Sequence, residues 1–483
     1  MKGRNIVKVP FSEYLTKIAP SVKKVIDDLK TDHDYVSALC TDSKGLTVRI
    51  GHRSRSISNQ TMTTERGVVF RVCRDKKYAE VALNTADWND TDAMIRFIRS
   101  ELAMQDEMLK KLDVSAYETG ILDDEPLEFF GQKETEYLPE EADLRELAGK
   151  LISISDKGME MGSNVIECIA RAQSTHISKM FLTPNRDLRQ AYVYSEGIVA
   201  AVVSADGKVK EDYKSISGIK GPELFDEMEV LLPDVVNGAE ELLGAESIEP
   251  GEYDIITSPE VTGLIAHEAF GHGVEMDMFV KGRALGAEYI GKRVASDNVT
   301  MHEGALCAEN VTSYFFDDEG VMAGDVTEIE NGILRSGICD ALAALRLGTK
   351  PTGNGKRENF AHKAYTRMTN TMFDSGSYTK EEMIASIKYG FLLEGMQSGM
   401  EDPKHWGIQC IIQKGREIRD GKLTGRVVAP VIMTGYVPDL LGDITMCSVD
   451  REVFGSGGCG KGHKEWVKVA DGGPYLKTRG RLG

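Results

Sequence analysis

The stretch GEYDIITSPEVTGLIAHEAFGHGVEMD, Gly251 to Asp277, sets the expectations for the second half of this 483-residue chain. Tyr253–Ile256 reads as a strand. Ser258 stands where a helix N-cap belongs, with Pro259 at the first helical position. The helix that follows carries His267, Glu268 and His272.

A catalytic zinc commonly has three protein ligands and one open position. In H-E-x-x-H, two of them share a helix face and the glutamate is general base. Here the histidines are five residues apart rather than four. At about 100° per residue, His272 lies roughly 140° around a regular helix from His267, so the two could not grip one ion. Gly271 offers a way out, because glycine tolerates unwound or left-handed backbone that would swing His272 back. Spacing alone leaves two readings open: a metal pair, or one buried histidine and one at a helix end.

A metal pair needs a third ligand. His176, His302, His362, His405 and His463 are candidates, as are the acids and thiols. The most unusual thiol is Cys459 in GSGGCGKGHK, Gly455–Lys464, where glycines let backbone approach and Lys461 would favour the thiolate. Cys410 in GIQCIIQ and Cys447 in DITMCSVD alternate with apolar neighbours and read as core. The eight cysteines form no CxxC pair, which makes buried free thiols the default. Gly455–Gly462 also reads G-x-x-x-x-G-K-G, but it lacks the Ser/Thr and the following helix of a phosphate-binding loop. Gly353 and Gly355 in TGNGKREN read as a turn.

A net charge of −18 argues against general nucleic-acid binding, which wants a basic face. No run reaches membrane-span length, and MKGRNIVKVPFSEYL lacks the apolar centre of a signal peptide. The expectation is a cytoplasmic chain with neither membrane nor nucleic acid as partner. Its length predicts two or three domains.

Apolar spacing predicts a helix from Phe11 to Leu29, bent at Pro20, and another from Asp92 to Leu112. Strands are expected at Leu46–Ile50, Val68–Cys73 and Tyr78–Leu83. Val114–Asp143 reads as an acidic connector and Leu144–Ala172 as helical. Strands then run from Ile177 to Val209 with Asp206-Gly207 as a hairpin turn, followed by a helix from Glu223 to Leu243. The boundary falls near Glu249-Pro250. The fold class is α+β: residues 1–249 form an N-terminal mixed-sheet domain with long helices. Residues 250–483 form a mostly antiparallel β domain that carries the metal-binding helix.

Four blocks in order resemble the TldD/PmbA peptidases, specifically the catalytic TldD-like branch. They are H-E-A-x-G-H-G-x-E at His267–Glu275 and Y-x-x-D-D-E-G at Tyr314–Gly320. G-N-G-x-R-E at Gly353–Glu358 follows, joined to R-M-T-N-T at Arg367–Thr371, and then C-G-K at Cys459–Lys461. PmbA-like sister proteins lack the metal motif. The resemblance implies one zinc per chain, held by His267, His272 and Cys459, with Glu268 as base. It also implies a homodimer, or a heterodimer with a sister subunit. The stretch GMEDPKHW, Gly399–Trp406, departs from the family's usual form in a region associated with peptide contact.

Two neutral imidazoles and one thiolate leave a divalent site at about +1, enough to polarise a peptide carbonyl. Glu268 would move the water proton to the leaving amine. Arg367, or backbone N–H groups, would contact substrate at the oxyanion. A structural acid is the competing partner for Arg367. The expected activity is zinc-dependent hydrolysis of unfolded or extended peptides. Two alternatives remain: a metal amidohydrolase with a deep closed pocket for a small substrate, and a peptide-binding protein whose structural metal has a closed fourth position.

Overall fold

The computed structural model describes residues 6–84, 86–112, 118–461 and 466–483. The chain is α+β, built on two large sheets. In the first sheet, strands follow the order Lys208–Gly218, Arg186–Ala205, Val165–Leu182, Tyr35–Ile50, Arg66–Arg74 and Lys77–Leu83. All of these neighbours are antiparallel, while Leu127–Gln132 adds a parallel strand on Arg186–Ala205. The helix Glu13–Lys30 packs Leu15, Val22, Val25 and Leu29 against Val36 and Phe70 of this sheet. Ser12 caps it, its Oγ accepting from the Leu15 N–H at 3.2 Å. Helices Leu144–Met161 and Leu232–Leu243 cover another part of the sheet around Leu151, Ile154 and Val235.

Four sequence expectations change here; one is the helix expected over Glu223–Leu243, where Pro222–Leu231 winds as a tighter 3-10 segment and the α-helix runs over Leu232–Leu243. The helix expected to reach Ala172 stops at Met161, and Val165–Leu182 is a strand. Val165, Cys168 and Ile169 mimic helical spacing, but Gly162 ends the helix in extended backbone. Within the expected connector, Leu127–Gln132 pairs into the sheet, while residues 113–117 lie outside the described residues. The strand expected at Leu46–Ile50 begins at Tyr35, in a half buried on both faces that shows no alternation. The turn at Asp206-Gly207 stands as read: both residues have positive φ, 51° and 76°, as a two-residue hairpin requires.

The second sheet is eleven-stranded and mostly antiparallel, with two parallel pairings. Gly251–Thr257 pairs with both Tyr389–Asp402 and Ala470–Leu482. The strands Gly251–Thr257, Tyr389–Asp402, Gly407–Arg419, Val431–Tyr436 and Ala470–Leu482 therefore close a ring. Its apolar core includes Ile255, Phe391, Leu393, Met433 and Leu476. The helix Pro259–Ile265 buries Val261, Leu264 and Ile265 in the same core. This anchors the histidine segment that follows.

The two sheets are tied directly. Lys414 meets Asp212 at 3.2 Å, and the Tyr213 hydroxyl donates to the Met396 carbonyl at 2.6 Å. Lys468 pairs with Glu196, and Arg71 with Glu319. No described helix is long and apolar enough to cross a membrane.

Candidate metal centre

Ser258 occupies the cap position of the histidine helix, but its side chain caps nothing. Regular helix runs only over Pro259–Ile265. Ala266–Gly271 then forms a wider turn in which the His272 N–H donates to the His267 carbonyl, five residues back. A π-type turn of this kind absorbs one extra residue and recurs at functional sites. The imidazoles are thereby brought together, with ring centroids 5.0 Å apart. The expected loosening at Gly271 is absent, since its φ of −56° and ψ of −52° are ordinary right-handed helix. Gly271 matters for space instead: a Cβ there would sit 2.2 Å from Met368 Sδ.

Cys459 lies on the short strand Gly458–Gly460, paired with Trp466–Lys468, and points at the same place. One donor atom each from His267, His272 and Cys459 lie within 4.8 Å of one another. Among the described residues no fourth donor joins them. His272 Nε2 is 3.3 Å from Cys459 Sγ. Although burial favours the neutral thiol, the two imidazoles pull Cys459 well below its ordinary range. Burial likewise favours neutral imidazoles, yet the thiolate lifts His267 to about 9 and, with Glu275, His272 well above its usual value. Two imidazole nitrogens and a thiolate sulfur this close together are a donor set suited to a divalent ion of zinc type, which would take the place of the proton they share.

Each donor has an outer neighbour. His272 Nδ1 is 3.0 Å from Glu275 Oε2. Glu275 is buried, yet Lys461 and His272 hold it far below the usual carboxylate range. Lys461 lies 3.1 Å from Glu275 and 2.6 Å from Asp277, so its ammonium is engaged by acids beside the thiolate. The fully buried Arg367 donates to the Cys459 carbonyl at 3.0 Å and to Sγ at 3.1 Å, and approaches Glu275 at 3.5 Å. It does not line the cleft. His267 Nδ1 lies 3.9 Å from Asp471 Oδ2, and both Nδ1 and Asp471 Oδ1 are buried without a hydrogen bond.

The donors open onto a cleft of about 870 Å³. Glu268 lines it, and Gly399 makes room for the glutamate, because a Cβ there would meet Glu268 Cγ at 2.5 Å. The opposite wall is the strand Tyr389–Asp402, contributing Met396 to Glu401. Gly251–Thr257 pairs with this strand only as far as Leu393. Beyond that point, among the described residues, one edge of the strand carries no strand partner.

The other candidate histidines sit elsewhere, beside carboxylates. His176 bonds Glu140 at 2.9 Å, His302 bonds Asp325 at 2.8 Å, and His405 bonds Asp402 at 2.7 Å. His362 lies 3.4 Å from Glu358. His463 is outside the described residues. Cys410 and Cys447 are buried in the ring's core. Sequence reasoning passed over Asp471, which stands in no motif, and singled out the stretch Gly399–Trp406 without naming its Glu401. It also passed over Glu275 as a histidine partner, although the motif contains it.

A two-histidine, one-thiolate cluster beside a glutamate, in a cleft walled by a strand, is the constellation of a metallopeptidase. Residues 250–477 match the family described as PmbA/TldA metallopeptidase C-terminal domain. A metalloprotease from Methanothermobacter thermautotrophicus is 30% identical over 308 residues, 63% of this chain and 67% of the relative. A zinc metalloprotease TldD homolog from Saccharolobus solfataricus is 28% identical over 290 residues, 59% of this chain and 64% of the relative. The matched stretch thus spans about two thirds of the length of these curated relatives. In fold, TldE from Thermococcus kodakarensis superposes with a TM-score of 0.72 at 17% identity, covering 96% of this chain and 99% of that one. A proposed modulator of DNA gyrase from Thermotoga maritima gives 0.77 at 16%, covering 96% and 100%. The chain belongs to the TldD/PmbA family of metallopeptidases.

Proposed function

We propose that this metallopeptidase is zinc-dependent and hydrolyses extended or unfolded peptides, with Glu268 as general base. His267, His272 and Cys459 would hold one ion per chain; when bound, it supplies Lewis-acid polarisation of the scissile carbonyl and a more acidic water. Glu268 takes the proton from the attacking water and returns it to the leaving amine. The unpaired edge of Tyr389–Asp402 beyond Leu393 holds the peptide backbone by strand addition, which tolerates many sequences. Glu275, Arg367 and Asp471 orient His272, Cys459 and His267 in that order, as outer partners of ligands do. Arg367 is then a positioning residue rather than a substrate contact. The chain works as a homodimer or with a sister subunit, and light scattering on dilute protein should give about twice 53.1 kDa.

One observation carries this reading: three metal-ligand donors and a glutamate converge on a cleft whose wall is a free strand edge. The open cleft and strand edge favour peptides over the closed pocket that a small substrate would need. Glu268→Gln should keep its metal by atomic emission and lose hydrolysis of a casein-like chain by orders of magnitude. A variant that stays active, or that loses its metal, would remove Glu268 from the base role. Compact folded proteins should be spared, and equal rates on the native and unfolded forms of one substrate would refute the extended-peptide requirement.

A further inference from the structure

The cleft carries apolar surface that none of the described residues covers. Met400 is 61% exposed and Trp466 is 51% exposed, and they belong to different elements of the same cleft. Met278, Met396 and Leu264 line it with them. Exposed large apolar side chains gathered in one cleft mark a surface that a ligand covers. Methionine is unbranched and polarizable, so a methionine-rich wall adapts to many apolar shapes. Of the acids at the cleft, Glu275 is paired with His272 and Lys461. That ammonium is already engaged by Asp277 and Glu275. Glu401 follows Met400 on the wall strand, and neither of its carboxylate oxygens accepts a hydrogen bond. Burial pushes its carboxyl well above the ordinary range, which favours the neutral acid.

We infer that the cleft selects extended segments with large apolar side chains over acidic ones, Met400 and Trp466 providing the apolar contact. This rests on the peptidase reading and names its substrate class. Unfolded chains expose such side chains, whereas folded ones bury them. Discrimination of this kind is built from burial of an apolar side chain on one side and the cost of desolvating a charged one on the other.

The test uses matched short peptides differing at one position, Leu, Met, Ser, Lys or Glu, on the metal-loaded full-length protein. Cleavage is read as kcat/KM on the wild type, and binding by fluorescence anisotropy on Glu268→Gln, which holds peptides without cutting them. The Leu and Met peptides should exceed the Ser peptide by about tenfold or more, and the Glu peptide should be the poorest. Met400→Ser and Trp466→Ser should each narrow the Leu-to-Ser ratio, whereas Met400→Leu keeps it. Circular dichroism and metal content establish that each variant is folded and loaded. A flat profile, a preference for Glu, or ratios that none of these variants moves would overturn the inference. Flat binding with intact cleavage defeats the specificity alone. Selective apolar binding with no cleavage of any peptide by the wild type defeats the peptidase reading and leaves the specificity standing.

Discussion

Two motif blocks of this chain are both rich in acids, and they do opposite work. In His267–Glu275, the side chains of His267, Glu268 and His272 face an open cleft, and Glu268 accepts no hydrogen bond from the described residues. In Tyr314–Gly320, the acids are consumed as clamps. Asp317 accepts backbone N–H groups from Glu319, Val321 and Gly355. Asp318 accepts from the Arg357 N–H and pairs with Lys179. Glu319 meets Arg71 and the Ala341 N–H. The Tyr314 hydroxyl donates to the Gly353 carbonyl, joining this block to the next. The difference teaches that motif density does not identify chemistry. What separates the blocks is whether the polar atoms are already satisfied.

That contrast is open to attack, and the clamps should give the largest stability effects. Glu80, on the first sheet, receives Arg357 of the Gly353–Glu358 block at 2.6 and 2.9 Å, and Arg71 at 2.6 Å. Removing one partner of a buried pair costs about 3–5 kcal/mol. Glu80→Ala should therefore lower the denaturation midpoint sharply. Hydrolysis per folded, metal-loaded molecule should fall far less than in Glu268→Gln. A Glu80 variant of unchanged stability would break the contrast.

The same clamp predicts a pH dependence. Burial alone would raise the Glu80 carboxyl, but Arg71 and Arg357 depress it to about 2. A group depressed on folding contributes stability above its unfolded pKa, near 4.3, that is lost as pH falls toward the folded value. Unfolding free energy should drop between about pH 4.5 and 2, and Glu80→Gln should flatten that slope. An unchanged slope would rule out the linkage.

A smaller effect separates clamps from ligand-orienting residues. Asp471→Asn should leave the fold intact and weaken metal affinity about 10–100-fold, the usual loss for an outer partner of a ligating histidine. Competition with a chromophoric chelator measures it, and unchanged affinity would take Asp471 out of that role. Smallest of all, Cys410→Ala in the ring's core should cost about 1–2 kcal/mol of packing and keep the metal.

Much of this was legible in the sequence, for identifiable reasons. Leu15, Ile18, Val22, Val25 and Leu29 mark one face of a helix that buries only that face. Asp206-Gly207 marks a hairpin by its chemistry. The α+β class was readable because local patterns carried it, and the motif blocks pointed to the three residues, His267, His272 and Cys459, that the fold groups together. The π turn was not, because an extra residue can be absorbed by several backbones, and Met368, the neighbour that rules out a side chain at Gly271, is far away in sequence. Tyr35–Ser43 escaped notice because strands buried on both faces lose their alternation. Asp471 is a lone acid in a strand, and only the closed ring brings it to the cleft.

The central claim is that Cys459 and the two histidines form one metal site, and metal binding by Cys459→Ala tests it most directly. Purified under reducing conditions beside wild type and Cys410→Ala, the protein would be assayed for bound zinc by atomic emission and for affinity by chelator competition. Wild type and Cys410→Ala should each hold one equivalent. Cys459→Ala should lose the metal and all hydrolysis while its circular dichroism stays that of the wild type. One equivalent retained by Cys459→Ala at unchanged affinity would contradict the account and make His463 the next residue to substitute.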